Sequence, residues 1–393
     1  MMLRRTLDPR IWLLAIGTFA VGTDAFVVAG ILPLLALSFG VSIEVAGLLV
    51  STYSFTYGLG TPLVAAMVAR WQRHRVVIAT LCGFALVNIG CALAPSFGVL
   101  LALKVAAGIC AATYTPTAYL LATSLASLER RGAALAAVAI GLSAASVLGI
   151  PIGTWVGYRY GWHATFAMIA VITLTGAAAL ARGRLSDPAQ GFAPPPSLAT
   201  RIAPLGRAHI WLALLPCFIL YIATSLVFTY IATLLRTRYG AGQLPPLLAV
   251  YGMGGLVGSQ LGGRIADRLG SAPPIHIGLG GLIAIQLLLP WALGSTLATC
   301  VALFGATFCS WCCFAPFQAR ILALEPESAN VTIALINTCV YMGNAIGALV
   351  GGFLLRLTAV TNLPFASALV AALALAVFRL SLARTARVTV TPS

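Results

Sequence analysis

The sequence predicts an all-α, polytopic membrane protein with twelve transmembrane helices in two pseudo-symmetric six-helix bundles. The first observation is composition, because 60% of the 393 residues are hydrophobic and only 8% are charged, whereas soluble domains carry about 25% charged residues. The second is that apolar runs recur along the chain, each long enough to cross roughly 30 Å of hydrocarbon. The third is an internal repeat of glycine patterns.

Twelve apolar segments define the predicted spans, numbered here in chain order. Their approximate bounds are 11–36, 45–69, 76–94, 97–124, 133–156, 163–182, 210–235, 245–266, 274–294, 296–319, 329–355 and 363–383. A polar stretch rich in proline and arginine separates span 6 from span 7, and that composition is typical of a linker. We therefore expect an N-terminal bundle at 1–183, a cytoplasmic linker at 184–208 and a C-terminal bundle at 209–393.

The repeat is visible in glycines that recur after a constant 198 residues. The pairs are Gly60 with Gly258, Gly149 with Gly347, and Gly153 with Gly351. Separate patterns that share one offset indicate a duplicated six-helix unit. Parallel halves of six spans describe a large class of transporters.

The basic residues predict the orientation of the chain. If both termini are inside, 18 of the 23 Lys and Arg residues lie on the inner side and four on the outer side, and Lys104 lies within span 4. Such a bias follows the positive-inside rule and predicts cytoplasmic termini. It also accounts for the net charge of +15 without nucleic-acid binding.

Asp24 is the acidic residue that lies deep in a predicted span. It follows Ile11 by 13 residues, or about 20 Å of helix, and the other acids are predicted in loops, termini or helix ends. An ionised carboxylate at that depth costs roughly 2.5–3.5 kcal/mol. We hypothesise that Asp24 carries a coupling proton and that substrate binding competes with it. The alternative is a neutral acid that is permanently hydrogen-bonded to a neighbouring helix.

The sequence contains no enzyme or cofactor signature. There is no phosphate-binding Walker loop, no nucleophile–His–acid set and no metal-ligand cluster, so we expect neither an enzyme nor a cofactor. The glycine-rich stretch GMGGLVGSQLGG lies inside a predicted span and does not follow a soluble strand, which argues against nucleotide binding.

Four motif regions carry a family resemblance. The end of span 8 has Gly258, Gly263, Arg264, Asp267, Arg268 and Gly270, and the equivalent loop after span 2 keeps Gly60, Arg70 and Arg73 but has Ala69 in place of the acid. Span 5 has Gly149, Pro151, Gly153, Gly157, Gly161 and Trp162. Span 4 has Lys104 followed by Gly108, and span 1 has the pattern GTxxxGxxxFxxxGxLP with Asp24.

At these residues the chain resembles the major facilitator superfamily over essentially its full length. More narrowly, it resembles the twelve-span drug/proton antiporters, and within them bacterial sugar-efflux and chloramphenicol-resistance exporters. The resemblance implies a cytoplasmic gate at Gly258, Gly263, Arg264, Asp267 and Arg268, where an ion pair would hold the halves together in one state. The alternative is a solvated turn, and the missing acid at position 69 leaves the first-half counterpart incomplete.

The span 5 motif is similar to the antiporter signature of the family. Its glycines allow close helix approach, and Pro151 is expected to bend the helix. We include Gly149, Pro151 and Gly153 in the gating set. Lys104 stands where the family usually has arginine, and the alternative is that its side chain snorkels to the outer interface.

By resemblance, the leading spans of each half line a central path. The candidate cavity residues are Lys104, Tyr114, Thr117, Tyr221, Thr224, Phe228, Asn337, Tyr341 and Asn344. The last three share one helix face by their spacing, although interhelical polar contacts would explain them equally well. An aromatic and amide lining with one acid and one base suits a neutral or amphipathic small molecule.

These inferences predict proton-coupled efflux, or antiport, of a small neutral or amphipathic molecule such as a drug or sugar by alternating access. We expect a multi-pass protein of the bacterial inner membrane that contacts its substrate, protons and lipid, and that is a monomer. One alternative is a proton-coupled uptake symporter. The other is a non-transporting membrane sensor.

Overall fold

The computed structural model describes residues 7–67, 71–183, 208–324 and 329–390, and these residues form helices joined by short turns, with no strand among them. The predicted linker lies outside the described residues apart from Ala208, which begins a helix. Ala69 and Arg70 lie outside them as well. The domain boundaries at 183 and 208 therefore stay predictions.

Sixteen α-helices of the described part build the twelve spans. They are α1 Pro9–Phe39, α2 Ile43–Ala46, α3 Leu48–Met67, α4 Arg73–Ala92, α5 Phe97–Leu125, α6 Arg131–Ala144, α7 Ile150–Tyr160, α8 Trp162–Arg182, α9 Ala208–Phe228, α10 Ile231–Leu235, α11 Leu244–Leu269, α12 Ala272–Ala292, α13 Thr296–Cys312, α14 Phe314–Leu324, α15 Ala329–Leu355 and α16 Leu363–Val390. Short 3₁₀ turns lie at Leu128–Arg130, Ala241–Gln243 and Val360–Asn362, and a π-helical turn at Ala145–Gly149 joins α6 to α7.

Four of the twelve spans consist of two consecutive helices. Span 2 is α2 with α3, span 5 is α6 with α7, span 7 is α9 with α10, and span 10 is α13 with α14. Ten helical stretches of the described chain are long and apolar enough to cross a membrane. The main helices of spans 2 and 8, α3 and α11, have 20 and 26 residues, but their glycine, hydroxyl and tyrosine content makes them less apolar.

Local sequence explains where several helices begin and end. Asp8 caps α1 by accepting a hydrogen bond from the backbone N–H of Arg10 at 2.9 Å, and Pro9 follows at the first helical position, where a missing N–H costs little. Gly40 ends α1 in the left-handed conformation, with φ of 62°. Ser42 and Ser96 cap α2 and α5 through their hydroxyl groups.

The packing within the first six spans recurs in the last six. Span 1 packs on spans 5 and 6, span 2 on span 4, and span 3 on spans 4 and 6. In the second half, span 7 packs on spans 11 and 12, span 8 on span 10, and span 9 on spans 10 and 12. The prediction of two pseudo-symmetric helix bundles is confirmed.

The repeated glycines occupy equivalent contacts in the two halves. A Cβ at Gly149 in span 5 would collide with the Thr23 side chain in span 1, and a Cβ at Gly347 in span 11 would lie 2.9 Å from Cβ of Ser225 in span 7. A Cβ at Gly60 would contact Ala112 in span 4. Its partner Gly258 lies against the Phe308 carbonyl in span 10. The 198-residue offset therefore reflects a shared packing requirement.

The two halves meet along two symmetry-related pairs of spans. Span 2 packs on span 11 and span 5 packs on span 8, and a smaller contact joins span 1 to α10. We call the end of the bundle where α1 begins the terminal end. The end that carries the turn at Gly40 is the opposite end.

Candidate functional site

The centre of the candidate site is an ion pair between spans 1 and 4. Lys104 Nζ donates a hydrogen bond to Asp24 Oδ1 at 2.6 Å, and both side chains are at most 1% exposed. The Lys104 side chain therefore does not snorkel to an interface in this structure. Asp24 thus bonds to a side chain of a neighbouring helix, and its role as a proton carrier stays a prediction.

The ion pair is only partly satisfied by its surroundings. Asp24 Oδ2 and the neighbouring Thr23 hydroxyl have no hydrogen-bond partner in the described part of the chain. The Lys104 ammonium lies 4.5 Å from the ring centroid of Phe166 and 5.8 Å from that of Tyr53. Aromatic faces attract a cation but carry no negative charge. Asp24 is therefore the group that compensates the Lys104 ammonium.

Close helix packing places the two charged groups together. Gly108 lies one turn after Lys104, and a Cβ there would lie 2.8 Å from the Tyr53 carbonyl of span 2. The Tyr53 hydroxyl in turn donates to the Val21 carbonyl of span 1 at 3.4 Å. Spans 1, 2 and 4 are therefore packed too tightly around the pair for either charge to reach solvent in this conformation.

The ion pair belongs to the first half alone. The positions 198 residues after Asp24 and Lys104 are Ile222 and Ala302, which carry no charge. The duplication therefore reproduces the helix packing but not the charge chemistry.

Two aromatic contacts join the halves near the middle of the spans. Tyr57 of span 2 stacks on Tyr341 of span 11, with ring centroids 3.7 Å apart. Phe26 of span 1 meets Phe228 of span 7 edge-on at 6.0 Å, and Phe228 stacks on Tyr251 of span 8 at 5.2 Å. The predicted cavity residues Tyr341 and Phe228 thus lie at the interface between the halves.

Three other candidate cavity residues lie in contacts between or along helices. The Tyr114 hydroxyl donates to the Leu14 carbonyl at 2.8 Å, and its ring lies against Gly17. The Thr117 hydroxyl donates to the Thr113 carbonyl of its own helix at 2.7 Å. Tyr221 is buried against Gly343 of span 11. Helix packing accounts for these side chains in this conformation, and their contact with substrate stays a prediction.

Asn337 and Asn344 are partly buried on α15, on either side of Tyr341. The Asn344 backbone carbonyl accepts a hydrogen bond from Ser225 at 2.8 Å, which links spans 7 and 11. Thr224 is also partly buried and lines a small cavity of the second half together with Phe228.

The predicted gate after span 8 combines helix packing with exposed charges. Gly258 lies against the Phe308 carbonyl of span 10, and Gly263 lies near Ala315. The side chains of Arg264, Asp267 and Arg268 are exposed. Within residues that the structure describes, no ion pair of Asp267 is present. The gating role stays a prediction.

The span 5 motif adjoins an irregular turn that contacts span 8. Gly149 ends the π-helical turn and Pro151 follows at the start of α7. Gly153 packs against Val27 of span 1, and Gly252 of span 8 lies against the Ser146 carbonyl within the π-helical turn. Proline lacks the N–H that would continue the regular ladder, which explains why the irregularity lies here.

Several residues of the site were missed by the sequence analysis. Tyr53, Tyr57 and Phe166 surround the ion pair or bridge the halves, yet aromatic residues in an apolar helix have no distinctive pattern. One indication was available, because Tyr251 follows Tyr53 by the repeat offset of 198 residues. Nothing in the sequence pattern indicated that Lys104 pairs with Asp24, except that few charged residues lie within the predicted spans.

A sequence profile described as Major Facilitator Superfamily matches residues 14–348. The chain belongs to this superfamily. The resemblance drawn from the motifs is thus confirmed, and the members of this family are transporters, not enzymes. The protein is a multi-pass membrane transporter.

Curated relatives cover most of the chain. A chloramphenicol resistance protein of Streptomyces lividans is 32% identical over 74% of this chain and 79% of its own length. The inner membrane transport protein YdhP of Escherichia coli strain K12 is 27% identical over 92% of this chain and 93% of its own. A probable sugar efflux transporter of Mannheimia succiniciproducens is 25% identical over 96% of this chain and 95% of its own length.

A solved structure supports the fold. A bacterial homolog of the human lysosomal transporter Spinster matches with a TM-score of 0.77 at 15% identity, over 97% of this chain and 98% of its own. At this identity the similarity shows the architecture alone.

Proposed function

We propose that the protein exports a small neutral or amphipathic molecule across the bacterial inner membrane in exchange for protons. The observation that carries the proposal is the buried Asp24–Lys104 pair, in which one carboxylate oxygen has no partner among the described residues. A carboxylate in the membrane interior that can lose its negative charge is a suitable carrier for a proton.

Protonation of Asp24 would change the energy of this conformation. It would remove the negative charge that compensates the Lys104 ammonium, and an uncompensated buried charge costs on the order of 3–5 kcal/mol. The closed packing of spans 1, 2 and 4 would then be less stable than an arrangement in which water or substrate reaches the ammonium. Proton binding would thereby be coupled to movement of the helices.

The two halves contact each other at the opposite end in this conformation. The Tyr230 hydroxyl donates to the Ala348 carbonyl at 2.8 Å and lies against Gly47 of the first half. Arg236 of the second half lies over the Tyr158 ring of span 5, 5.8 Å from its centroid. If the termini are cytoplasmic, as the distribution of basic residues predicts, this end faces outward. Proton exchange at Asp24 then requires the halves to rearrange.

The proposed direction of transport and the proposed cargo are based on the names of two relatives. One is named a chloramphenicol resistance protein and another a probable sugar efflux transporter, and both names favour export of an uncharged small molecule. The second-half positions equivalent to Asp24 and Lys104 are uncharged, so the first half supplies the proposed proton site. The predicted gating residues at the end of span 8 would separate and rejoin the halves at the terminal end, whereas Gly149 and Gly153 of span 5 lie against the middle of span 1.

The test is transport into inverted membrane vesicles with an imposed proton gradient, with radiolabelled chloramphenicol and a thiogalactoside as probes. We expect Asp24→Asn to abolish gradient-driven uptake into the vesicles while the protein remains in the membrane. Glu129→Gln is the matched control, because Glu129 is an exposed acid outside the spans. Gradient-driven uptake by Asp24→Asn at the wild-type rate contradicts the proposal. Proton-driven loss of probe from the vesicles would favour uptake symport.

A further inference from the structure

The second half contains a small cavity that is separate from the Asp24–Lys104 pair. Spans 7 to 10 line it, with polar contributions from Thr224, Tyr251, Gln286 and Ser310 and an aromatic wall that includes Phe228. Its volume is about 10 Å³, which is close to the space that one water-sized group needs. No Asp or Glu is among its lining residues.

Gln286 is the unusual residue of this cavity. Its side chain is only 3% exposed, and Oε1 has no hydrogen-bond partner in the described part of the chain. A buried carbonyl oxygen without a donor is unfavourable in an apolar surrounding, so natural proteins rarely leave one unpaired. A group that enters the cavity and donates a hydrogen bond would remove this penalty.

The hydroxyl groups of the cavity also present acceptors. The Thr224 hydroxyl donates to the Tyr221 carbonyl at 3.2 Å, and the Ser310 hydroxyl donates to the Ala306 carbonyl at 2.9 Å. Since each hydroxyl has a single hydrogen, both oxygens keep only lone pairs for a further partner. The Thr224 and Ser310 oxygens can therefore accept one further hydrogen bond each, and Gln286 Oε1 is the acceptor without a partner among the described residues.

We propose that this cavity is the specificity subsite for a hydroxyl or amide N–H group of the uncharged substrate, with Gln286 as the residue that selects it. The inference rests on the proposed function for the identity of the cargo. The stacked Phe228 and Tyr251 rings place the cavity next to the interface between the halves. A substrate held at that interface can insert one donor group between spans 7 and 10. The first half then supplies proton coupling and the second half supplies selectivity.

The chain offers a matched control at the equivalent position of the first half. Asn88 precedes Gln286 by 198 residues. It is also a buried amide whose Oδ1 lacks a partner among described residues, but its Nδ2 donates to the Phe84 carbonyl at 3.0 Å. Asn88 does not line the cavity. Removal of either amide should disturb the fold similarly, whereas only removal of Gln286 should change selectivity.

The experiment compares probes that differ in one donor group. Chloramphenicol and isopropyl thiogalactoside are each paired with the methyl ether of their primary hydroxyl, and binding to purified protein is measured without a proton gradient. We expect wild-type protein to prefer at least one hydroxyl probe over its ether. In Gln286→Met that preference should fall by about tenfold, as expected for the loss of one buried hydrogen bond. Asn88→Leu should retain it.

Ser310→Ala provides a second, smaller change at the same cavity, so that the test does not depend on the folding of one variant. A partial loss of preference in Ser310→Ala supports the subsite. Unchanged preference in a folded Gln286→Met protein, or wild-type protein that binds a hydroxyl probe no better than its ether, overturns it. Wild-type protein that binds none of the probes counts against the proposed cargo. The binding assay uses no proton gradient, so it does not test proton coupling. A wild-type protein that shows the expected selectivity in binding but no gradient-driven transport would contradict the proposed function and leave the subsite intact.

Discussion

At the scale of residues, the proposed function depends on two buried charged groups that satisfy each other incompletely. Asp24 and Lys104 form one close hydrogen bond at 2.6 Å, while the second carboxylate oxygen has no partner in the described chain. A buried pair of this kind adds little net stability, because the cost of desolvating both charges offsets their attraction. Stability alone therefore does not explain the pair, whereas the proposed proton coupling gives it a role.

The pair should show strong energetic coupling in a double-mutant cycle. Lys104→Met leaves Asp24 without its cation and Asp24→Asn leaves Lys104 without its anion, so each should destabilise the protein by about 3–5 kcal/mol. The double variant should recover most of this loss but no proton-driven transport. Thermal unfolding in detergent measures the first effect and vesicle transport the second. Additive losses in the double variant would show that the two charges do not compensate each other.

At the scale of elements, close approach of backbones decides which spans meet. Glycines of span 8 at positions 254, 258 and 262 each lie against a backbone carbonyl of span 10. Gly252 lies instead against the π-helical turn of span 5, so one helix contacts its own half and the other half through different glycines. Small residues on two faces suit a helix that stays bound to its own bundle while its partner bundle moves.

A methyl group at Gly252 should weaken the contact between spans 5 and 8. Because its Cβ would collide with the Ser146 carbonyl, a backbone atom, Gly252→Ala should lower the unfolding temperature and slow transport. Gly280→Ala is the matched control, since a Cβ at Gly280 meets no atom within 4 Å. Thermal unfolding and vesicle transport should therefore separate the two variants. Equal behaviour would mean that spans 5 and 8 do not need this close approach.

At the scale of the whole molecule, the contacts described between the halves favour a conformation closed at the opposite end. Tyr230 is buried between the halves, next to Gly47 and Gly352. The aromatic contacts Tyr57–Tyr341 and Phe26–Phe228 lie deeper. The proposed alternating access would require these contacts to break together, since packed interfaces switch between discrete arrangements.

A larger side chain at Gly47 should force the opposite end apart. Its Cβ would collide with the Tyr230 hydroxyl, so Gly47→Leu should lengthen the distance between spin labels at the exposed positions Trp155 and Leu357. Labels are attached through cysteines introduced into a cysteine-free variant. Gly98→Leu is the control, because a Cβ at Gly98 has no neighbour within 4 Å. Unchanged distances in Gly47→Leu would show that Tyr230 does not hold this end closed.

The sequence by itself determined the class, the helices and their duplication. The length of an apolar run decides whether a helix can cross the bilayer, and the repeated glycine spacing is visible along the chain without knowledge of the fold. It also singled out Asp24, since a lone acid in a long apolar run is conspicuous. Only the tertiary structure decided that Lys104 is its partner, that Tyr114 packs against Gly17, and that Gln286 lines a cavity. These facts depend on which faces of distant helices meet, and in helices that are apolar all round, periodicity carries no information about facing.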